Sequence, residues 1–235
     1  MGGVLKNEKK LSEEWAWNYL AEIILAIEEL HWRDIIFRDL KPDNVVIDED
    51  GHALLTDFGL SKEGITGNEE AKSFCGSVAY LAPEILKWQG HGKSVDWYLC
   101  GVLLYEMLVG IPPYFDNKKE QMFKNIKSGP LKMPDWLSSE VKDLLTLLLK
   151  WDPTKWLGAG KTDAEEIKTH SWFQQLNWKD VYDWKLVHPK PAKKEIKITK
   201  AALSLEEKAY GAYANVGQFD IKEIDYLESV LEENV

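Results

Sequence analysis

The chain has 235 residues, 45% of them hydrophobic and 11% aromatic. That is enough apolar material for a real core in one large or two small domains, and it excludes wholesale disorder. Acidic residues (39) outnumber basic ones (29), giving a net charge of −10, which argues against nucleic acid as a partner because phosphates need a basic footprint. A basic peptide suits that charge better.

Two cysteines, Cys75 and Cys100, cannot build a disulfide framework or a four-ligand zinc site, and read as reduced cytosolic thiols. No signal peptide opens the chain. Met1-Gly2-Gly3 echoes a myristoylation start, but Lys6 stands where Ser or Thr is required. No membrane span is expected, since the best apolar run, Val102 to Ile111, is broken by Glu106.

In chain order, residues 12–31 read as a helix. Ser12 caps it, acids follow in the first turn, and Leu20, Ile23, Ile24 and Ile27 recur at helical spacing. Asp50-Gly51 is a hairpin turn between the strands Val45-Val46-Ile47 and Ala53-Leu54-Leu55. Ser61 to Lys72 is polar and contains glycine, so a mobile loop is expected there. Ser94 to Val109 is apolar on all sides, as a buried helix is, and Pro112-Pro113 lies beyond its end.

Further helices are expected at 117–128, 138–150 and 163–169, with Ser138 and Asp163 as caps of the last two. After Phe173 the texture changes, with Pro and Lys through 185–200 and then an acidic end. This divides the chain into 1–173 and a tail, 174–235.

The chemistry sits in Arg38-Asp39-Leu40-Lys41-Pro42-Asp43-Asn44. Asp39 and Asn44 have the D-x-x-x-x-N spacing that puts a base and a metal ligand on one loop. Asp57-Phe58-Gly59 follows the hairpin and offers a second metal ligand, and Ala82-Pro83-Glu84 closes the segment. Each piece alone is weak, whereas the ordered set at these spacings is specific. Gly158-Ala159-Gly160-Lys161-Thr162 is not a phosphate-binding P-loop. The required upstream glycine is Lys155, and no apolar strand leads into it.

With these motifs the chain resembles the C-terminal lobe of an AGC-group Ser/Thr protein kinase, the group of the cAMP-dependent kinase and protein kinases B and C. Phe74-Cys75-Gly76-Ser77, Tyr80 to Glu84, Ser94 to Tyr98, Leu157 to Gly160 and the tail carry that resemblance over residues 10–190. It implies a mainly α fold, a kinase large lobe with a small β-hairpin sheet, followed by an AGC-type extension over 174–235. ATP and Mg²⁺ are the implied cofactors, and transfer of the γ-phosphoryl group to protein Ser or Thr in the cytoplasm is the implied activity.

The resemblance assigns roles as follows. Asp39 accepts or orients the substrate hydroxyl proton, and Lys41 neutralises the transferring phosphoryl group. Asn44 and Asp57 hold Mg²⁺, Val46 lines the nucleotide site, and Phe58 and Gly59 support Asp57. Ser77 sits beside Asp39 and Lys41. Ser73 is the activation-loop phosphosite for an upstream kinase, and Arg38 pairs with it once phosphorylated. Glu84 and Asp96 are structural, with Asp96 anchoring the catalytic loop. Asp43 and Glu106 meet a basic residue near the phosphoacceptor, so protein substrates with basic residues near Ser or Thr are expected. Cys75 reads as a packed residue, and the five histidines (His31, His52, His91, His170 and His188) show no metal spacing and receive no role.

The departures matter as much. No G-x-G-x-x-G and no V-A-I-K-like strand occurs in these residues. The chain is therefore expected to hold half of an ATP site and to be inactive alone. The alternative is a catalytically inactive half-kinase that binds substrates or partners. Phe37 replaces the family's usual Tyr or His and keeps an apolar ring. Trp156 stands where the family has an Arg that pairs with Glu84. Trp15, Trp17, Trp32, Trp88, Trp151 and Trp184 also stand at commonly basic positions. Arg and Trp codons are one base apart, so a decaying gene copy or a different genetic code would each account for the set. Phe219, Ile224 and Tyr226 only loosely echo the group's terminal hydrophobic motif.

Overall fold

The computed structural model describes residues 1–66, 78–87 and 90–188, all within one compact unit, Met1–Pro191. Its helices are α1 (Gly2–Glu8), α2 (Glu13–Trp32), α3 (Pro83–Leu86), α4 (Ser94–Val109), α5 (Lys119–Ser128), α6 (Ser139–Leu148), α7 (Ala164–Lys168) and α8 (Trp178–Tyr182). The sheet is the hairpin of β1 (Val45–Ile47) and β2 (Ala53–Leu55), antiparallel with Val46 opposite Leu54. The fold is mainly α with a small sheet, as the resemblance implied.

The core forms where sequence period and burial coincide. In α2 the positions Ala16, Tyr19, Leu20, Ile23, Ile24 and Ile27 are buried, one stripe at helical spacing. The Ser12 side chain accepts from the Trp15 amide at 3.3 Å and closes the helix start. α4 is buried almost throughout, including Trp97, Tyr98, Leu103, Leu104 and Met107, because it lies between α2 and α6. It ends at Gly110, whose φ of 92° suits a left-handed cap. A Cβ there would lie 2.5 Å from the Lys9 carbonyl oxygen, so the α1–α2 link crosses over a position that only glycine allows.

Ser138 caps α6, accepting from the Val141 amide at 3.3 Å. Its own amide and hydroxyl donate to Glu13 at 2.7 Å each, which ties α6 to the start of α2. One helix goes unread in the sequence and two expectations are corrected. α1 forms although its two glycines hide it from periodicity, and Leu5 is its buried anchor. Asp163 makes no cap bond, because its carboxylate is committed elsewhere. The first part of the supposed mobile loop is paired: Ile36 and Lys62 exchange amide-to-carbonyl bonds of 2.9 Å, and Ile65 donates to the Asp34 carbonyl at 3.0 Å.

Residues beyond Phe173 pack back. α8 rests on α2, and the Asn18 side chain donates to the Val187 carbonyl at 3.2 Å. Among the described residues no helix is long and apolar enough to cross a membrane.

Candidate active site

Asp96 sits in the first turn of α4 with 0% exposure. A carboxylate so removed from water must have its oxygens occupied. It accepts the Phe37 amide at 2.8 Å, the Arg38 amide at 2.7 Å and His31 Nε2 at 3.0 Å. These bonds pin the backbone immediately before Asp39. They also hold Arg38 at a φ of 68°, a left-handed conformation unusual for a long side chain.

His31 joins two parts of the chain. Its Nδ1 lies 3.0 Å from Asp163 Oδ2 while Nε2 faces Asp96. Burial favours the neutral ring, but the two carboxylates outweigh it and push the imidazole up to about 9. The Trp97 indole donates to the other Asp163 oxygen at 2.6 Å. His31 and Asp163 are 132 residues apart, so sequence reasoning had no signal for this relay.

Asp39 and Asn44 come together as their spacing implies. The Asn44 amide donates to the Asp39 carbonyl at 2.8 Å and to its carboxylate at 2.7 Å. Lys41 Nζ reaches the same carboxylate at 2.8 Å. Asp39 and Asn44 are both buried and Lys41 is partly exposed, so the loop presents one carboxylate oriented by an amide and an ammonium. The Asn44 carbonyl in turn accepts the Thr56 amide at 2.9 Å and the Thr56 hydroxyl at 3.2 Å. This cross-hairpin link sets Asp57 next to the loop. Asp57 is exposed with a φ of 60°, and one of its oxygens accepts the Gly59 amide at 3.2 Å.

The donor set fits a hard cation. Asn44 uses its nitrogen on Asp39, leaving the amide oxygen as a ligand, and Asp57 adds an exposed carboxylate. Oxygen donors of this kind suit Mg²⁺. Phe58 is 50% exposed and packs edge-on against Phe37 at 5.3 Å. Val46 is 44% exposed on β1, an apolar face next to the loop that carries Asn44. Arg38 is held through Nε, which donates to the Leu60 carbonyl at 2.6 Å. Ser73, Cys75 and Ser77 lie outside the described residues, as does Trp88.

Asp43 is exposed, and Glu106 on α4 takes a hydrogen bond from the Tyr80 hydroxyl. The Glu106 carboxyl is pushed up by burial, pulled back by that bond and raised again by the charge of Asp43. The two acids are thus close enough to feel each other.

Glu84 is the misfit. It is 3% exposed, and both its oxygens lack a hydrogen-bond partner among the described residues. Burial pushes its carboxyl up to about 8. Trp156 is buried, donates its indole N–H to the Lys150 carbonyl at 2.5 Å, and packs on Tyr98 at 4.9 Å. The Tyr98 hydroxyl is also buried without a partner among the described residues. By contrast Trp32, Trp151 and Trp184 are 76%, 47% and 53% exposed, environments in which a charged side chain is more usual.

The fold agrees with comparisons to known proteins. The family described as "Protein kinase domain" matches residues 2–173. Human RAC-beta serine/threonine-protein kinase is 45% identical over 185 residues, covering 79% of this chain and 38% of that protein. Ribosomal protein S6 kinase beta of Caenorhabditis elegans is also 45% identical over 185 residues, and covers 34% of its own length. Mouse ribosomal protein S6 kinase alpha-3 is 46% identical over 190 residues, or 26% of its length. The chain belongs to the protein kinase family, and these relatives are AGC-group Ser/Thr kinases. It spans less than two fifths of the length of each of them.

Proposed function

We propose that this chain supplies the catalytic loop, the metal ligands and the peptide-facing surface of a protein Ser/Thr kinase. That kinase transfers the ATP γ-phosphoryl group to proteins with basic residues near the phosphoacceptor. The observation that carries the reading is the Asp39 carboxylate held by Asn44 and Lys41 on a loop pinned by Asp96.

In this reading Asp39 accepts the hydrogen bond of the substrate hydroxyl and receives its proton as the oxygen attacks. Lys41 supplies positive charge where the transferring group gains negative charge. Asn44 and Asp57 hold Mg²⁺, which when bound neutralises the phosphates of ATP. Val46 lines the base of the nucleotide site, and Phe58 and Gly59 keep Asp57 in place. Asp43 and Glu106 attract the basic substrate residue. Residues 1–173 form the kinase large lobe and 174–235 the AGC-type extension, in a cytoplasmic protein. Ser77 stands beside Asp39, and an upstream kinase acts on Ser73 with Arg38 as the partner of the phosphate.

These 235 residues contain no Gly-rich loop and no strand lysine to clamp the phosphates. By themselves they are expected to be essentially inactive, serving at most as a substrate-binding module. The test is a chimera carrying the small lobe of a RAC-beta kinase in front of this chain, assayed on a basic peptide. Activity that falls at least about a thousandfold in Asp39→Asn and in Asp57→Ala supports the reading, the scale typical of lost transition-state stabilisation. Activity untouched by both substitutions, or an active isolated chain, overturns it.

A further inference from the structure

A second cluster of ligating side chains lies apart from the loop just described. Glu22 on α2, His52 in the turn of the hairpin and His188 after α8 converge, with one ligand atom from each within 4.8 Å of the others. Glu22 Oε1 is 2.7 Å from His52 Nδ1 and 2.7 Å from His188 Nε2. Glu22 Oε2 accepts the Ala53 amide at 2.7 Å, which fixes the plane of the carboxylate and turns Oε1 towards the two rings.

The surroundings are those of a prepared site. The His188 side chain is fully buried, stacks on Tyr19 at 5.3 Å, and leaves Nδ1 without a partner among the described residues. The His52 side chain is 12% exposed, with Trp184 edge-on at 4.8 Å, and gives the cluster its opening to solvent. Two imidazoles and one carboxylate form a donor set suited to zinc, whereas magnesium and calcium favour oxygen alone.

We infer that Glu22, His52 and His188 form a zinc site that staples the hairpin bearing the catalytic metal ligands to α2 and to the chain after α8. Zinc bonds of about 2.0–2.1 Å at tetrahedral angles separate ligand atoms by about 3.3 Å. The two contacts at 2.7 Å therefore open by about 0.6 Å to admit the ion. Water completes the shell from the His52 side. Each ring nitrogen hydrogen-bonds the carboxylate, so binding replaces those two hydrogen bonds with metal bonds and turns a ring lone pair to the ion at His52 Nδ1 and at His188 Nε2. The three ligands come from segments far apart in sequence, so the ion favours the folded state over the unfolded one.

The test uses the full chain stripped of metal and titrated with zinc chloride in saturating magnesium chloride, which occupies sites built of oxygen alone. One zinc per chain is expected, with a rise in melting temperature and visible ligand-field bands of four-coordinate Co²⁺ when cobalt replaces it. His52→Gln and His188→Gln should each weaken binding at least about tenfold. No stoichiometric zinc, or zinc held equally well by the double variant, overturns the assignment. The titration and cobalt spectrum of the unaltered chain decide the matter even if a histidine variant fails to fold.

Discussion

His31 shares one oxygen of Asp96 with the backbone that leads into Asp39. Its Nε2 is 3.0 Å from the oxygen that also accepts the Phe37 amide. The loop geometry therefore depends on a side chain that contacts no reactant. Replacing His31 with Leu removes one partner of a buried pair and should destabilise the protein by about 3–5 kcal/mol, measurable by urea unfolding. The ring is held at about 9 in the fold against an unfolded value near 6.5. The stability it contributes is thus fully present below about pH 6.5 and is lost as pH rises through about 9. The difference between wild type and His31→Leu should shrink across that window.

Glu84 works in the other direction. A carboxyl raised to about 8 when folded favours the unfolded state increasingly between about pH 4.5 and pH 8. The penalty above that window is on the order of 4 kcal/mol. Glu84→Gln should raise the melting temperature at pH 8 and leave it nearly unchanged at pH 4.5. Trp156→Arg, which restores a cation, should also stabilise at pH 8. A lower melting temperature in both variants would count against an uncompensated carboxylate.

Gly101 sets two general rules against each other. An alanine in mid-helix usually gains up to about 1 kcal/mol over glycine. Here the added Cβ would lie 2.8 Å from Leu148 Cβ and 3.0 Å from Leu149 Cδ2, where α4 meets α6. Overpacking of that kind costs about 1–3 kcal/mol, so Gly101→Ala is expected to lower stability on balance. Thermal unfolding gives the sign directly.

Amide exchange tests the pairing after the Asp57-Phe58-Gly59 turn. The amides of Ile36, Lys62 and Ile65 all donate to backbone carbonyls, and Ile36 and Ile65 are buried. They should exchange much more slowly than the exposed amides of Glu63 and Gly64. Equal, fast exchange across 61–66 would show a loop as mobile as its composition suggests.

That contrast marks what the sequence makes legible. The hairpin was readable because apolar strands flank Asp50-Gly51, α2 and α6 because apolar period and capping serines agree, and α4 because it is apolar on all sides. Asp39, Asn44 and Asp57 carried their own spacing. α1 was hidden by Gly2 and Gly3, whose weak helix preference is overridden by packing. Asp163 looked like a cap because a local rule describes it well. Its carboxylate goes instead to His31 and to the Trp97 indole, partners that only folding brings near. The same holds for Glu22, His52 and His188, whose ligand spacing exists in space and not along the chain.

The tryptophans carry an optical consequence. Trp97 and Trp156 are shut away from water, while Trp32, Trp151 and Trp184 face it. The emission of this protein must therefore be a composite, with a blue component from the interior and a red one open to a dissolved quencher such as iodide. Unfolding followed at a single wavelength would blend the two, and the blue component alone reports the loss of the packed interior around α4.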